Sequence, residues 1–339
     1  MDKTSPDTRA SIDQGLTKIQ QIPAGLHANG RTIGILAALT SALFLGMTPI
    51  FGKQAILLGA PPLALVAVRT LLASLMLLVV IACFDRRHLY IYPAGLLGCL
   101  LAGWINGIGS LFYYSALARI NAGVGQLLYS LYPFFLILWL TMDRQIPGPL
   151  TIIRVTIAIC GVYFLTRGGI QQIDPVGVIQ MLIAAALFAL HIPINQRVLS
   201  DMPAPTVTVY TLLAMSSIVI PAYFLSGAGA IPQNLQVWWP IAGLTFVTFF
   251  SRLTLFLGIK HLGSLQAGLL GLSELIVTLL LAHLILGESL TPQQWTGSIL
   301  LISSLLLIIF ERTWAKKYRP GGWLGWISPP SPPSEIPWQ

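Results

Sequence analysis

The chain repeats itself at a spacing of about 143 residues, and each copy is almost wholly apolar. Ala42-Leu43-Phe44 recurs as Ala186-Leu187-Phe188, and Thr70-Leu71-Leu72-Ala73 recurs as Thr211-Leu212-Leu213-Ala214. The further matches are Pro49 with Pro193, Lys53 with Arg197, Ala122-Gly123 with Ala267-Gly268, and Asp143 with Glu288. Because the spacing stays nearly constant, one register relates the two halves. Duplicated apolar halves are a common way of building a membrane-spanning fold.

The composition also excludes an ordinary soluble domain. Charged residues make up 9% of the chain and hydrophobic residues 55%, whereas soluble domains have roughly 25% charged residues. We count about ten apolar runs, each close to the roughly 20 residues that a helix needs to cross a bilayer. They span residues 33–58, 62–84, 93–118, 122–142, 149–166, 175–198, 206–226, 240–261, 265–286 and 293–313. The runs do not alternate apolar and polar residues as barrel strands do.

The sequence therefore predicts an all-α integral membrane protein with ten transmembrane helices in two inverted five-helix repeats. The first repeat is expected over residues 33–167 and the second over residues 175–313, between a polar tail at 1–32 and a disordered tail at 314–339. An odd number of spans in each repeat turns the second repeat over relative to the first. The two repeats are then related by an axis in the membrane plane.

Basic residues near the ends of the spans predict the orientation. One side carries both termini and most of the cations, whereas the other side carries only Arg119 and Arg167. By the positive-inside rule both termini are expected in the cytoplasm, and the plasma (inner) membrane is the expected location. The net charge of +8 is then explained by contact with anionic lipid. No basic face interleaved with aromatic residues indicates nucleic-acid binding.

Several short motifs resemble those of a known family. They are Pro49 with Lys53, Arg69-Thr70-Leu71-Leu72-Ala73, Tyr114-Ser115-Ala116-Leu117 before Ala122-Gly123, Tyr132-Pro133, and Leu286-Gly287-Glu288-Ser289-Leu290. The pattern resembles the EamA-type members of the drug/metabolite transporter superfamily. This resemblance implies ten helices in two inverted repeats and transport of a metabolite, with amino acids as the first guess. The chain departs from the family pattern at Met142-Asp143-Arg144, at Thr278 opposite Pro133, and at Glu274 opposite Tyr129.

Glu274 lies deep inside a predicted span. It follows the turn near Gly263-Ser264 by about 10 residues, and Arg252 precedes that turn by about 12, so both are expected near the bilayer midplane. A charge at that depth usually faces a partner or a cavity. We therefore expect either a structural ion pair between Glu274 and Arg252 or a site for substrate or protons, and the two roles are compatible.

Polar residues of the first half could line the same site. Asn106 and Ser110 share one helix face, as do Gln126 and Tyr129, and their depth matches that of Glu274. The alternative is hydrogen bonding between helices, worth only about 0.6 kcal/mol each. We expect Asn106, Ser110, Gln126, Tyr129, Arg252 and Glu274 to contact substrate.

Three further residues have two interpretations each. Lys53 and Arg69 flank the first outer turn, where they could attract an anionic group, although capping a neighbouring helix or snorkelling is the interpretation we favour. His191 could relay protons together with Glu274, whereas a packing histidine is the commoner case. These residues complete the set of candidates.

The sequence has no phosphate-binding loop, no paired carboxylates and no nucleophile motif. We therefore expect no enzyme activity, no cofactor and no metal site. The expected function is secondary transport of a small polar or amphipathic metabolite by alternating access around a midplane site. The alternatives are a nucleotide-sugar or sugar-phosphate exchanger and a non-transporting membrane scaffold. The expected partners are a small-molecule substrate, anionic lipid and a second copy of the chain in a homodimer.

Overall fold

The computed structural model describes residues 24–142, 174–289 and 291–307, with isolated helical residues between 143 and 173. The described part consists of α-helices and one short 3-10 helix, Arg86–Leu89. The α-helices are α1 Ala24–Leu57, α2 Pro62–Phe84, α3 Pro93–Arg119, α4 Ala122–Tyr129, α5 Tyr132–Met142, α6 Pro175–Asp201, α7 Ala204–Leu225, α8 Leu235–Leu262, α9 Ser264–Gly271, α10 Glu274–Leu286 and α11 Pro292–Leu306.

The ends of these helices follow from local sequence. Pro62, Pro93 and Pro175 each open a helix, where the missing N–H costs nothing and the fixed φ suits the first turn. Asp174 caps α6 by accepting a hydrogen bond from Val176 N at 2.9 Å. Gly287 ends α10 with a φ of 65°, a left-handed conformation that residues with a Cβ seldom adopt.

Seven segments of the described chain are long and apolar enough to cross a membrane. They are Gly30–Leu57, Pro62–Phe84, Pro93–Arg119, Ala122–Trp139, Pro175–Asp201, Ala204–Leu225 and Leu235–Leu262. The α10 helix is apolar but shorter, at 13 residues. The predicted span at 149–166, residues 1–23 and the C-terminal tail lie outside the continuously described residues, so the count of ten stays a prediction. Residues 24–32, predicted as part of the N-terminal tail, belong to α1 instead.

The outer surface of the helix bundle is apolar. Leu36, Val79, Phe84, Trp239 and Ile276 are all more than half exposed, whereas a soluble protein rarely exposes such residues over a contiguous surface. Such a surface is expected of a protein that is surrounded by lipid.

The helices pack as two related sets. Helix α1 packs along α8, and the equivalent pair is α6 with α3. Both pairs are antiparallel: Gly34 lies against His261 and Gly243 against Phe51, while Gly177 lies against Arg119 and Gly109 against Leu187.

The α1 and α3 helices, by contrast, end side by side. Lys53 Nζ donates to the carbonyls of Leu117 and Ile120, both at 2.8 Å. The C-terminal ends of α1 and α3 therefore lie together, so these two helices run in the same direction. Because α3 is antiparallel to α6, α1 and α6 run in opposite directions. This is the relation that an inverted repeat requires.

Lys53 therefore has the capping role that we favoured for it. It satisfies carbonyls at the end of α3, which lack partners within their own helix. Beside it, the Glu288 carboxylate accepts from Ala122 N at 2.8 Å and from Gly123 N at 2.9 Å, at the start of α4. A cation at a helix C-terminus and an anion at a helix N-terminus both oppose the helix dipole favourably.

Candidate functional site

A cavity of about 510 Å³, including the part that opens to solvent, lies between the two repeats. Helices α1 to α4 line it from the first repeat, and α6, α8 and α10 line it from the second. Its polar lining residues are Thr48, Arg69, Asn106, Ser110, Tyr113, Tyr114, Gln126, Tyr129, Thr248, Ser251, Arg252 and Glu274.

The cavity forms where two spans are broken. The fourth predicted span divides at Ser130-Leu131 into α4 and α5, and the ninth divides at Leu272-Ser273 into α9 and α10. We had expected each to be one helix. Pro133, which has no N–H to donate, lies in the first turn after the first break. Discontinuous helices at equivalent places in two repeats are typical of binding sites in transporters.

Glu274 is the first residue of α10 and is 1% exposed. Its Oε1 atom has no hydrogen-bond partner among the described residues. The Gln126 side chain approaches the carboxyl as a hydrogen-bond partner, and Gln126 Oε1 accepts from the Tyr113 hydroxyl at 3.5 Å. The helix break therefore delivers a carboxyl group with unused acceptor capacity to the cavity wall.

Arg252 reaches the cavity from α8. Its Nη2 donates to Asn106 Oδ1 at 3.4 Å, and its guanidinium lies 5.4 Å from the centre of the Phe188 ring. Asn106 is oriented by its other amide atom, Nδ2, which donates to Met215 Sδ at 3.5 Å. Arg252 Nη1 is buried and has no partner in the described part of the chain.

Arg69 is also a cavity residue, which corrects its expected place at the outer ends of the helices. Its Nη1 donates to Thr248 Oγ1 at 3.0 Å, and its guanidinium lies 4.6 Å from the centre of the Tyr114 ring. The side chain is 3% exposed, and its Nε atom has no partner among the described residues. The error arose because depth was counted along the backbone, while the long side chain extends further inward.

The expected ion pair between Arg252 and Glu274 is not formed. Among the described side chains, ion pairs within 4.0 Å join Asp85 to His88 and Arg119 to Asp174, but not these two residues. Both charged groups instead line the same cavity with atoms left unpaired. An unpaired buried ionisable group is costly and usually marks a functional site.

Aromatic rings form one wall of the cavity. Tyr129 lies between Tyr113 and Phe188, with ring centres 4.9 Å and 5.2 Å away. Tyr114 packs edge-on against Tyr113 at 5.1 Å. This wall offers an apolar surface beside the two arginines, which lie over the Tyr114 and Phe188 rings.

The structure thus brings together all six residues expected to contact substrate: Asn106, Ser110, Gln126, Tyr129, Arg252 and Glu274. Their contact with a substrate stays a prediction. His191 does not line the cavity; it is fully buried, and its Nδ1 pairs with the carbonyl of Phe188 in its own helix. Its Nε2 atom is buried with no partner among the described residues, so its expected part in proton coupling stays a prediction.

The sequence analysis did not single out Tyr114, Phe188 or Thr248. Thr248 precedes Arg252 by one helical turn, and Phe188 is the repeat counterpart of Phe44. The first spacing is a signal that could have placed Thr248 on the face of Arg252. Phe44 offers no such guide, because it packs on Phe250 instead.

Fold and site together define a helical membrane protein of duplicated build with one charged cavity between its halves. The chain belongs to the EamA-like transporter family, whose model matches residues 32–167 and again residues 175–310. A relative from Salmonella typhimurium (strain LT2), described as an uncharacterized inner membrane transporter YicL, is 23% identical over 208 residues. The aligned region covers 59% of this chain and 68% of that protein.

A solved structure supports the fold independently of sequence. It is titled only "Crystal structure of protein" and superposes with a TM-score of 0.61, covering 82% of this chain and 96% of that one at 15% identity. The chain is therefore an integral membrane protein of a transporter family.

Proposed function

We propose that this protein is a secondary transporter that moves a small polar or amphipathic metabolite through the cavity by alternating access. The observation that carries the proposal is the set of three buried groups, Arg69, Arg252 and Glu274, each with an atom that lacks a partner. Amino-acid-like compounds are the first candidates for the cargo. A protein that only needed stability would replace such groups by apolar side chains.

The inverted repeats supply the mechanism. Because α1 and α6 run in opposite directions, exchanging the conformations of the two repeats turns a cavity open at one end into one open at the other. The cavity residues move little relative to each other, whereas the contacts at the two ends of the bundle open and close in turn.

Glu274 is our candidate for coupling transport to protons. It is a carboxyl group that can gain or lose a proton, and its buried Oε1 has no partner among the described residues. Transport driven by a proton gradient would then require this carboxyl.

Flux measurements in proteoliposomes test the proposal. Purified protein is reconstituted and loaded with candidate metabolites, and uptake of labelled substrate is followed with and without an imposed pH gradient. Glu274→Gln is expected to abolish gradient-driven uptake while remaining folded, whereas Asp85→Asn, a change at an exposed carboxylate, retains uptake. If Glu274→Gln changes only the stability of the protein and has no effect on uptake, the scaffold alternative is favoured.

One observation favours the exchanger alternative. Arg69 joins Arg252 in the cavity, so two cations are present. A nucleotide-sugar or sugar-phosphate exchanger would need such cations for its phosphate groups. Counterflow between phosphorylated substrates inside and outside the vesicles distinguishes this case.

We also propose the plasma (inner) membrane as the location, with both termini in the cytoplasm. The positive-inside distribution of Arg and Lys supports this orientation. Anionic lipid on the cytoplasmic side and a homodimer are further proposed partners.

A further inference from the structure

We propose that Arg69 and Arg252 together hold a carboxylate of the substrate, so that the cargo is an organic acid with an apolar or aromatic body. This rests on the proposed transport function. It narrows the cargo to compounds that carry a carboxylate, whatever other groups they have.

The first support is that both guanidinium groups line the same buried cavity. Arg69 Nη1 donates to Thr248 Oγ1, and Thr248 lies on α8 one turn before Arg252. Two like charges in one buried cavity are stabilised when an anion binds there.

The second support is the pair of unused donors. Arg69 Nε and Arg252 Nη1 are buried N–H groups with no partner among the described residues. One other nitrogen of each group donates, Arg69 Nη1 to Thr248 and Arg252 Nη2 to Asn106, and each guanidinium lies over an aromatic ring, so both groups are held before a ligand arrives. Guanidinium groups bind planar carboxylates with paired hydrogen bonds.

The remainder of the cavity describes the rest of the cargo. Tyr113, Tyr114, Tyr129 and Phe188 offer ring faces and edges next to the arginines. Such a wall contacts an apolar or aromatic group favourably. Glu274 and Gln126 remain available for a donor group on the same molecule.

Binding of matched probes to the purified wild-type protein tests the inference without any substitution. The probes are 3-phenylpropionate and 4-methylpentanoate, each compared with its neutral primary amide, together with phenyl phosphate. Binding is measured by thermal shift and by isothermal titration calorimetry. We expect the carboxylates to raise the apparent Tm and the amides to leave it unchanged.

Variants then assign the effect to the two arginines. Arg69→Gln and Arg252→Gln are each expected to weaken carboxylate binding roughly 10- to 100-fold, the loss of one charged hydrogen-bond donor. Arg69→Lys and Arg252→Lys keep the charge, and are expected to bind more weakly than wild type but more tightly than the Gln variants. Arg87→Gln, at an exposed arginine of the 3-10 helix, is the matched control and retains wild-type affinity.

Four results would overturn the inference: equal stabilisation by the amides, binding of phenyl phosphate without binding of the carboxylates, no binding of either carboxylate, or unchanged affinity in both Gln variants. Measuring flux distinguishes failure of the carboxylate inference from failure of the proposed transport function. Transport of neutral or cationic metabolites alone leaves the transporter standing and removes the carboxylate site. Carboxylate binding with no flux of any compound supports the carboxylate site and contradicts the proposed transport function.

Discussion

At the scale of single residues, charged side chains in this protein do two kinds of work. Lys53 and Glu288 satisfy backbone groups at helix ends, so these hydrogen bonds stabilise the fold. Arg69, Arg252 and Glu274 keep atoms without partners in a cavity. The first two residues therefore stabilise the fold, whereas we propose that the other three bind a ligand.

The first prediction concerns Lys53. Lys53→Gln removes a cation that bonds two carbonyls at the end of α3, so we expect a loss of stability on the order of 1–2 kcal/mol. The apparent Tm in detergent measures it. Arg87→Gln, which removes an exposed cation, serves as the control and should leave Tm unchanged. Equal Tm for both variants would show that the Lys53 bonds contribute nothing.

The sequence predicted which charged residues lie deep in the membrane better than it predicted which side chains they contact. It placed Glu274 and Arg252 at one depth, and both line the cavity. It paired them because no other acid lies deep in a span, yet Asn106 and Gln126 are the partners found. The sequence placed Asn106 and Gln126 at the same site, but a neutral amide leaves no charge pattern that shows which charged group it contacts.

At the scale of elements, the broken spans are the feature that positions the site. Apolar runs predicted the extent of α2 and the start of α4 and α6 to within a few residues. They could not predict the two breaks, because Leu131 and Leu272 are as apolar as their neighbours. Pro133 signals the first break, whereas the second has no proline.

The second break depends on a close contact. Tyr132, at the start of α5, donates from its hydroxyl to the carbonyl of Gly268 at 2.8 Å. A Cβ at Gly271 would clash with that same hydroxyl. Small residues at this position therefore let α5 and α9 approach each other.

The second prediction follows from that contact. Gly271→Ala is expected to destabilise the protein by about 1–3 kcal/mol through overpacking. Tyr132→Phe removes the clashing oxygen, so the double variant should be less destabilised than the sum of the single ones by about 1 kcal/mol. Tyr210→Phe, which loses a hydroxyl bond to Leu89, is the control partner. Strict additivity in the Gly271–Tyr132 cycle would contradict the clash.

The third prediction concerns the ion pair that joins α3 to α6. Arg119 Nη1 lies 2.9 Å from Asp174 Oδ2, and this hydrogen bond, with that from Val176 N, holds the pKa of Asp174 below its usual value. Since the folded-state pKa is lowered, the stabilisation is present at neutral pH and is lost as the pH falls through that pKa.

Asp174→Asn keeps a capping side chain but removes the charge. The wild type should have the higher Tm at neutral pH, and the difference should shrink as the pH falls through the lowered pKa of Asp174. Thermal melts across that pH range check this. A difference that persists in acid would show that the charge of Asp174 is not its source.

At the scale of the whole molecule, the fourth prediction concerns orientation. In a background without Cys83, Cys99 and Cys160, Ala228→Cys in the loop between α7 and α8 should react with a membrane-impermeant thiol reagent on intact cells. Arg87→Cys, at the other end of the bundle, should react only after the cells are permeabilised. The reverse pattern would overturn the cytoplasmic assignment of the termini.

The repeat was readable from the sequence because both halves kept the same small and apolar residues at matching positions. The contacts of α1 with α8 and of α6 with α3 follow from that duplication. The cavity itself was only partly readable, since its wall combines seven helices that are far apart in the chain. Arg69 and Thr248, for example, are 179 positions apart and share one hydrogen bond.

The two broken spans differ in what they carry at the break: Tyr129 closes α4, and Glu274 opens α10. The two repeats therefore share a turn at this place in the span but differ in charge beside it. In the alternating-access transporter that we propose, identical halves would populate the two end-open forms equally. The carboxyl group of Glu274, which has Tyr129 as its counterpart in the first repeat, makes the two forms unequal in energy, so the empty transporter favours one of them.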